Sequence, residues 1–347
     1  MGPLSGGIAM KKTAGAVLLF VSLAMPAIAA ESSKPDWAYA VPVPGQPALP
    51  KIHEDGKLYG VPGSKLRFTR NKVQGLNDDG KRTRVVAADW FPGEHHRMPR
   101  IVADGDAGRK IVACALCHSP NGRGRPQNAG IAGLLAEYFI GQLRDMRAGL
   151  RHSAEPRKKN AHAMIDFAKA MTEREMRDAA LYYAALPWTS WVRVVETDTV
   201  PRSVSADGMM LPLAGTGREK LGNRIVETPA DVARTDLRDP LSGFIAYVPK
   251  GAVAKGRQIV TTGKNGKTLP CAVCHGQNLN GVGPIPGIAG RSPRYMARQL
   301  YDMQRGAWHG AMASMMKPVF AKLTAQYIIN VAAYTASVPV AAQGKPR

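Results

Sequence analysis

Acidic residues are scarce in this sequence: 26 aspartates and glutamates stand against 47 lysines and arginines, a formal net charge of +21 over 347 residues. An excess of that size favours an acidic protein, an anionic membrane face or nucleic acid as partner. Cysteine is scarcer, with four in all, and all four fall within two copies of one pattern, Cys114-Ala115-Leu116-Cys117-His118 and Cys271-Ala272-Val273-Cys274-His275. No thiol is left over for a structural disulfide. Long apolar runs are missing too, apart from Ala14 to Ala24, which is too short to span a bilayer comfortably. No residue pattern reads as a substrate pocket, so the chemistry rests on the two cysteine motifs.

The first thirty residues give an address. Lys11 and Lys12 make a basic start, the apolar run follows, and Ala27-Ile28-Ala29 reads as a cleavage site of small residues. The expected location is therefore the periplasm, after export. Export argues against nucleic acid as partner and leaves an acidic-surfaced redox protein, or association with an anionic membrane surface.

A C-x-x-C-H run is what covalent attachment of a c-type haem needs. Two thiols at this spacing reach the two vinyl groups of the porphyrin, and the histidine that follows is held beneath the iron as an axial ligand. A zinc site would want its two cysteine pairs close in sequence, and a thioredoxin-like pair has no use for a histidine beside each copy. Two copies predict two covalently bound haem c groups, held by Cys114, Cys117 and His118 and by Cys271, Cys274 and His275.

An internal repeat supports this. A shift of 157 places Cys114 on Cys271, His118 on His275, Gly130-Ile131-Ala132-Gly133 on Gly287-Ile288-Ala289-Gly290, Tyr138 on Tyr295, Gln142 on Gln299, Asp145 on Asp302 and His152 on His309. After the basic run Arg157-Lys158-Lys159 the shift becomes 152, and then Met164 falls on Met316, Thr172 on Thr324 and Pro187 on Pro339. Within each copy, Leu134, Leu135, Tyr138, Phe139, Leu143, Met146 and Leu150 form an apolar helical face that ends at Gly149. Ser292 and Pro293 start its twin, which Gly306 closes. A last helix runs from a capping box, Thr172 with Glu175, to Leu186; its twin spans about 324 to 338.

The ligand on the other side of each iron is expected to be a methionine shared by both copies. Met146 and Met303 lie on the apolar stripe and read as core filling. Met164 and Met316 are expected in the loop before the last helix, where a flexible thioether could reach the metal. Their rivals are His162, Met312, Met315 and the pair His152 and His309. A thioether opposite an imidazole raises the reduction potential, which suits an electron carrier.

With these motifs the chain resembles the class I cytochromes c, and its duplicated form is similar to the periplasmic dihaem cytochromes of the c4 type. The resemblance covers residues 94–190 and 251–340. It implies a mainly α fold of two tandem haem domains, ligation by His118/Met164 and His275/Met316, and transfer of single electrons from a dehydrogenase or membrane complex to a terminal acceptor. It also implies a carbonyl hydrogen bond to each proximal histidine, from Pro286 in one copy and Ala129 in the other. The expected division is a signal peptide (1–29), an extended N-terminal segment (30–93), haem domain 1 (94–190), a small β-like inter-domain insertion (191–250) and haem domain 2 (251–347).

Three parts lie outside the repeat. Pro35 to Pro50 reads as an extended segment on the surface or against a partner. Leu66 to Thr69 and Arg84 to Val86 are short β-type runs around an Asn77-to-Gly80 turn, and His53, His95 and His96 read as surface or hydrogen-bonding residues. Residues 191 to 195, 224 to 226 and 244 to 248 are β-like and serve as a brace or a docking element. Besides the carrier, two other functions fit two such motifs: a dihaem peroxidase, which needs one iron with an open position, and a haem subunit fixed to a dehydrogenase or oxidase.

Overall fold

A computed structural model describes residues 1–2, 35–47, 49, 53–77, 79–80, 87–206 and 208–340. The leader and the run Arg84 to Val86 lie outside the described residues. From Pro35 onward the chain forms a single compact unit.

Local signals set the helices. Thr172 caps the helix Glu173–Ala184 in a full capping box with Glu175, and Thr324 caps Ala325–Ser337 by accepting from Tyr327 N. Ser292 caps Pro293–Gln304, where Pro293 occupies a position whose amide would have no helical partner. Ala136–Arg147 is its twin, and Gly149 and Gly306 follow the two helices in the left-handed conformation. The leucine stripe is shorter than the sequence suggested, for Leu135 is the N-cap and Leu150 lies past the helix, both partly exposed.

The repeat recurs in backbone hydrogen bonds. Ile131 N donates to Gly122 O at 2.7 Å and Ile288 N to Leu279 O at 2.8 Å; Gly133 N donates to Tyr183 O at 3.0 Å and Gly290 N to Thr335 O at 2.9 Å. Each half has its own apolar core, one around Ile101, Leu143, Met176 and Tyr183, the other around Ile259, Leu300, Ile328 and Ile329.

The insertion forms a three-stranded sheet in which Val192–Glu196 runs parallel to Phe244–Val248, and Val226–Pro229 runs antiparallel to it. Alternate residues of the central strand are buried, and Trp191, Phe244 and Ala246 enter the first core. Two further two-stranded pairs and the short helix Val232–Asp236 complete this region.

The proline-rich N-terminal stretch departs from expectation. Trp37, Ala38 and Tyr39 are buried in the second core, and the Tyr39 hydroxyl donates to Asp302. The aromatic pair supplies the burial that the prolines lack, so the chain itself is the surface this stretch covers. Leu66 to Thr69 makes one bridge, Tyr59 with Phe68, before Thr69 caps the helix Arg70–Val73.

Candidate functional site

Each C-x-x-C-H motif folds as one helical turn, Cys114–His118 and Ala272–His275 with Cys271 as its cap. The turn brings His118 onto the wall of one cavity and Cys271, Cys274 and His275 onto the wall of another. His118 Nδ1 lies 2.8 Å from Ala129 O, and His275 Nδ1 lies 2.8 Å from Pro286 O. A ring N–H donated to a carbonyl fixes the tautomer and leaves the Nε2 lone pair directed away, ready for a metal. Burial holds both imidazoles below their usual pKa, so they stay neutral. Burial also pushes the Cys114 thiol up to about 12 and that of Cys271 up to about 11, the opposite of the lowered pKa that a redox-active dithiol needs.

The first cavity is lined by His118, Phe139, Leu143, Met146 and Met164, with His152 also on its wall. The second is lined by His275, Leu300, Met303, Met312, Met315 and Met316. Both expected methionines therefore share a cavity with their proximal histidine. Met316 sits in a turn ahead of the last helix, whereas Met164 does not. Met164 is inside the helix Lys159–Ala170, and Met316 joins the short helices Ala311–Met315 and Lys317–Phe320. Alanines and unbranched side chains, with no glycine or proline between Lys159 and Ala170, make that segment a good helix former. Among the rivals, His152 Nδ1 lies 3.2 Å from Ser153 O and His309 Nδ1 lies 2.9 Å from Gly306 O.

Leu134, Tyr138, Tyr295 and Gln299 line both cavities, so the two share a wall. Around it stand cations that the sequence reading missed. Arg151 donates to Gln142 Oε1 and Gln299 Oε1, each at 2.7 Å, and Arg291 donates to Gly130 O. Arg294 and Arg298 are almost fully buried, and Arg294 Nη1 and Arg298 Nε have no hydrogen-bond partner. Lys158 reaches Gln127 O at 2.9 Å, with burial holding its pKa well down. Buried guanidinium atoms without acceptors are costly, a cost that the buried Glu227 beside Arg294 and Arg298 and Asp302 beside Arg298 offset only in part.

This arrangement fits a haem in each cavity. The apolar walls suit the macrocycle, the neutral imidazole shares each cavity with a methionine thioether, and Arg151, Lys158 and Arg298 on the wall of the first cavity and Arg291 on that of the second offer cations to the carboxylates that a porphyrin carries. A signal for two of the cations did exist in the sequence: 294 and 298 are one helical turn apart on a face with residues that must be buried, and an arginine there needs a reason.

No family model matches the chain. It is similar to cytochrome c4 of Azotobacter vinelandii, 23% identical over 244 residues, which cover 68% of this chain and 90% of that protein. A protein of Stutzerimonas stutzeri named thiosulfate dehydrogenase electron acceptor is 23% identical over 244 residues, with 69% of this chain and 85% of the relative covered. Cytochrome c-554(548) of Halomonas halodenitrificans is 32% identical over 68 residues, 19% of this chain and 82% of its own length.

Proposed function

Since the chain belongs to the c-type cytochromes, as a dihaem electron-transfer protein of the c4-like kind, we propose that it takes single electrons from a dehydrogenase and passes them to a terminal acceptor in the periplasm. When bound, the two haem c groups supply one-electron iron chemistry with no bond made or broken in a substrate. Cys114 and Cys117 would hold one group and Cys271 and Cys274 the other, with His118 and Met164, and His275 and Met316, as the donors to the two irons.

The observation that carries the reading is the pairing of a buried, carbonyl-anchored imidazole with methionine in both cavities. The carbonyls of Ala129 and Pro286 orient the rings and strengthen them as donors. The apolar walls exclude water, and a methionine thioether opposite the imidazole would raise the potential of a bound haem and leave no open position for an oxidant. A peroxidase needs one site without such a residue, which neither half offers among its described residues. The dehydrogenase donor is suggested by the name of the Stutzerimonas relative. Export follows from the leader, and no helix among the described residues is long and apolar enough to cross a membrane.

The test is a redox titration followed by absorbance on wild type, Met164→Ala and Met316→Ala. Met164→Ala is expected to abolish the thioether-to-iron band of one haem, Met316→Ala to weaken that of the other, and each to lower the potential of its own haem. A spectrum unchanged in both variants would refute the ligand assignment. Rapid peroxide turnover by the wild type would refute the carrier.

A further inference from the structure

The two motifs differ in what covers them. Leu116 is buried, whereas its counterpart Val273 is 76% exposed. Over the first motif lies the stretch from 232 to 240. Arg238 Nη1 donates to Leu116 O at 2.8 Å, Arg125 Nη2 to Thr235 O at 3.0 Å, and Asn121 Nδ2 to Pro240 O at 3.1 Å. The N-terminal region braces this roof from behind, where Trp90 Nε1 donates to Leu237 O at 2.9 Å and Arg70 pairs with Asp236.

Over the second motif, Leu269, Val273, Val282 and Met315 all remain exposed, and Cys274 is exposed with them. These side chains form one face. Three of them line the mouth of the second cavity, and Val282 lies against Gly276, just past His275. The charge of this half is lopsided. Residues 251 to 347 contain twelve lysines and arginines, of which Arg291, Arg294 and Arg298 are buried, and a single carboxylate, Asp302, also buried. Residues 94 to 190, by contrast, carry ten acidic and fifteen basic residues. Lys267 and Lys317 are exposed beside Leu269 and Met315, and Thr268 Oγ1 donates to Val319 O at 2.7 Å, holding the two stretches together.

We propose that this face of the second half is the docking surface for a soluble redox protein with an acidic rim, and that the roofed first motif is not a docking site. The proposal rests on the two-haem reading. A small apolar centre ringed by one sign of charge suits a brief, steered encounter. A second copy of this chain would bring like charges together across a two-fold axis. A bilayer seated here would hide the exposed thioether edge from any soluble partner.

The test titrates isotope-labelled holoprotein with an acidic flavodoxin as probe, at low and at high salt, and follows backbone amide shifts. Perturbations are expected to cluster within 264–284 and 315–322 and to vanish at high salt. Lys267→Glu with Lys317→Glu should weaken binding roughly tenfold. Lys110→Glu with Lys169→Glu, on the first half, should change it less than about twofold. Shifts centred on 114–118, equal losses from both double variants, tighter binding to phosphatidylglycerol vesicles than to flavodoxin, or self-association through this face would each overturn the proposal. A count of covalent haem separates the two readings: fewer than two per chain refutes the premise, whereas two intact haems with no docking here refute only the surface.

Discussion

The two halves share a haem-binding scaffold and differ in the element that opens it. The second half begins with the helix Ala252–Gly266, kinked at Gly263, which packs against Ala325–Ser337 so closely that Gly256 meets the carbonyl of Asn330. The first half has only Arg100–Ala103, a single turn. Sheet residues from the insertion, Trp191 and Phe244 at 5.1 Å edge to face, pack into that half's core. The same region then continues into the roof over the first motif. The comparison teaches that a shortened helix and an added sheet are two aspects of one change, which repaired a core and closed one motif while leaving its twin open.

The largest test of that comparison removes each half's own support. Trp191→Ala should cost about 4 kcal/mol and reduce occupancy of the first haem selectively, since a buried indole and its 2.7 Å bond to Arg123 O are both lost. Gly256→Leu should cost on the order of 3 kcal/mol and affect the second haem, because backbone stands where the side chain would go. Denaturant unfolding and haem content report both, and equal damage to both haems would break the comparison.

The ligand variants are next in size. Met164→Ala should lower one potential by on the order of 100 mV, within the range that axial ligands control. Met316→Ala should leave a residual high-potential fraction, because Met312 and Met315 line the same cavity.

The roof gives a smaller effect. Arg238→Ala removes a charged hydrogen bond to Leu116 O and should speed hydrogen exchange around the first motif about tenfold, with no change around the second. Ser119 and Gly276 occupy equivalent left-handed positions, at φ 66° and 81°. Ser119→Gly should therefore stabilise by about 1 kcal/mol and Gly276→Ser should do the reverse, as read by thermal unfolding.

Least of all is the acid response of the last helices. Arg109 and the cap at Thr172 hold the Glu175 carboxyl down at about 2, whereas Tyr327 occupies the matching place in the twin. A lowered carboxyl stabilises the fold above its ordinary range, and that contribution fades as pH falls toward 2. Glu175→Gln should cost less than about 1 kcal/mol at neutral pH, the ion pair being partly solvated, and nothing near pH 2.

Much of this was legible in the sequence. The motifs, the repeat, Ser292 with Pro293, the capping box and the three strands of the insertion are local patterns, and the chain obeys them. Met164 and Met316 were placed in a loop because their role suggested mobility, while the intrinsic preference of Lys159 to Ala170 was for helix. The burial of Trp37 and Tyr39 against residues some 260 positions away is non-local, and no spacing rule reaches it. The buried arginines were hidden for a related reason: a guanidinium ordinarily marks the surface, and the carboxylates beside these, Glu227 and Asp302, are brought to them by the fold.

The wall formed by Tyr138 and Tyr295 makes the molecule more than two carriers on one string. Under the proposed carrier role, two centres divided by a single layer of side chains form a store with a capacity of two, so that a donor releasing its electrons in pairs would unload fully in one visit. The same store can then be emptied one electron at a time, which matches pairwise chemistry on one side to stepwise chemistry on the other.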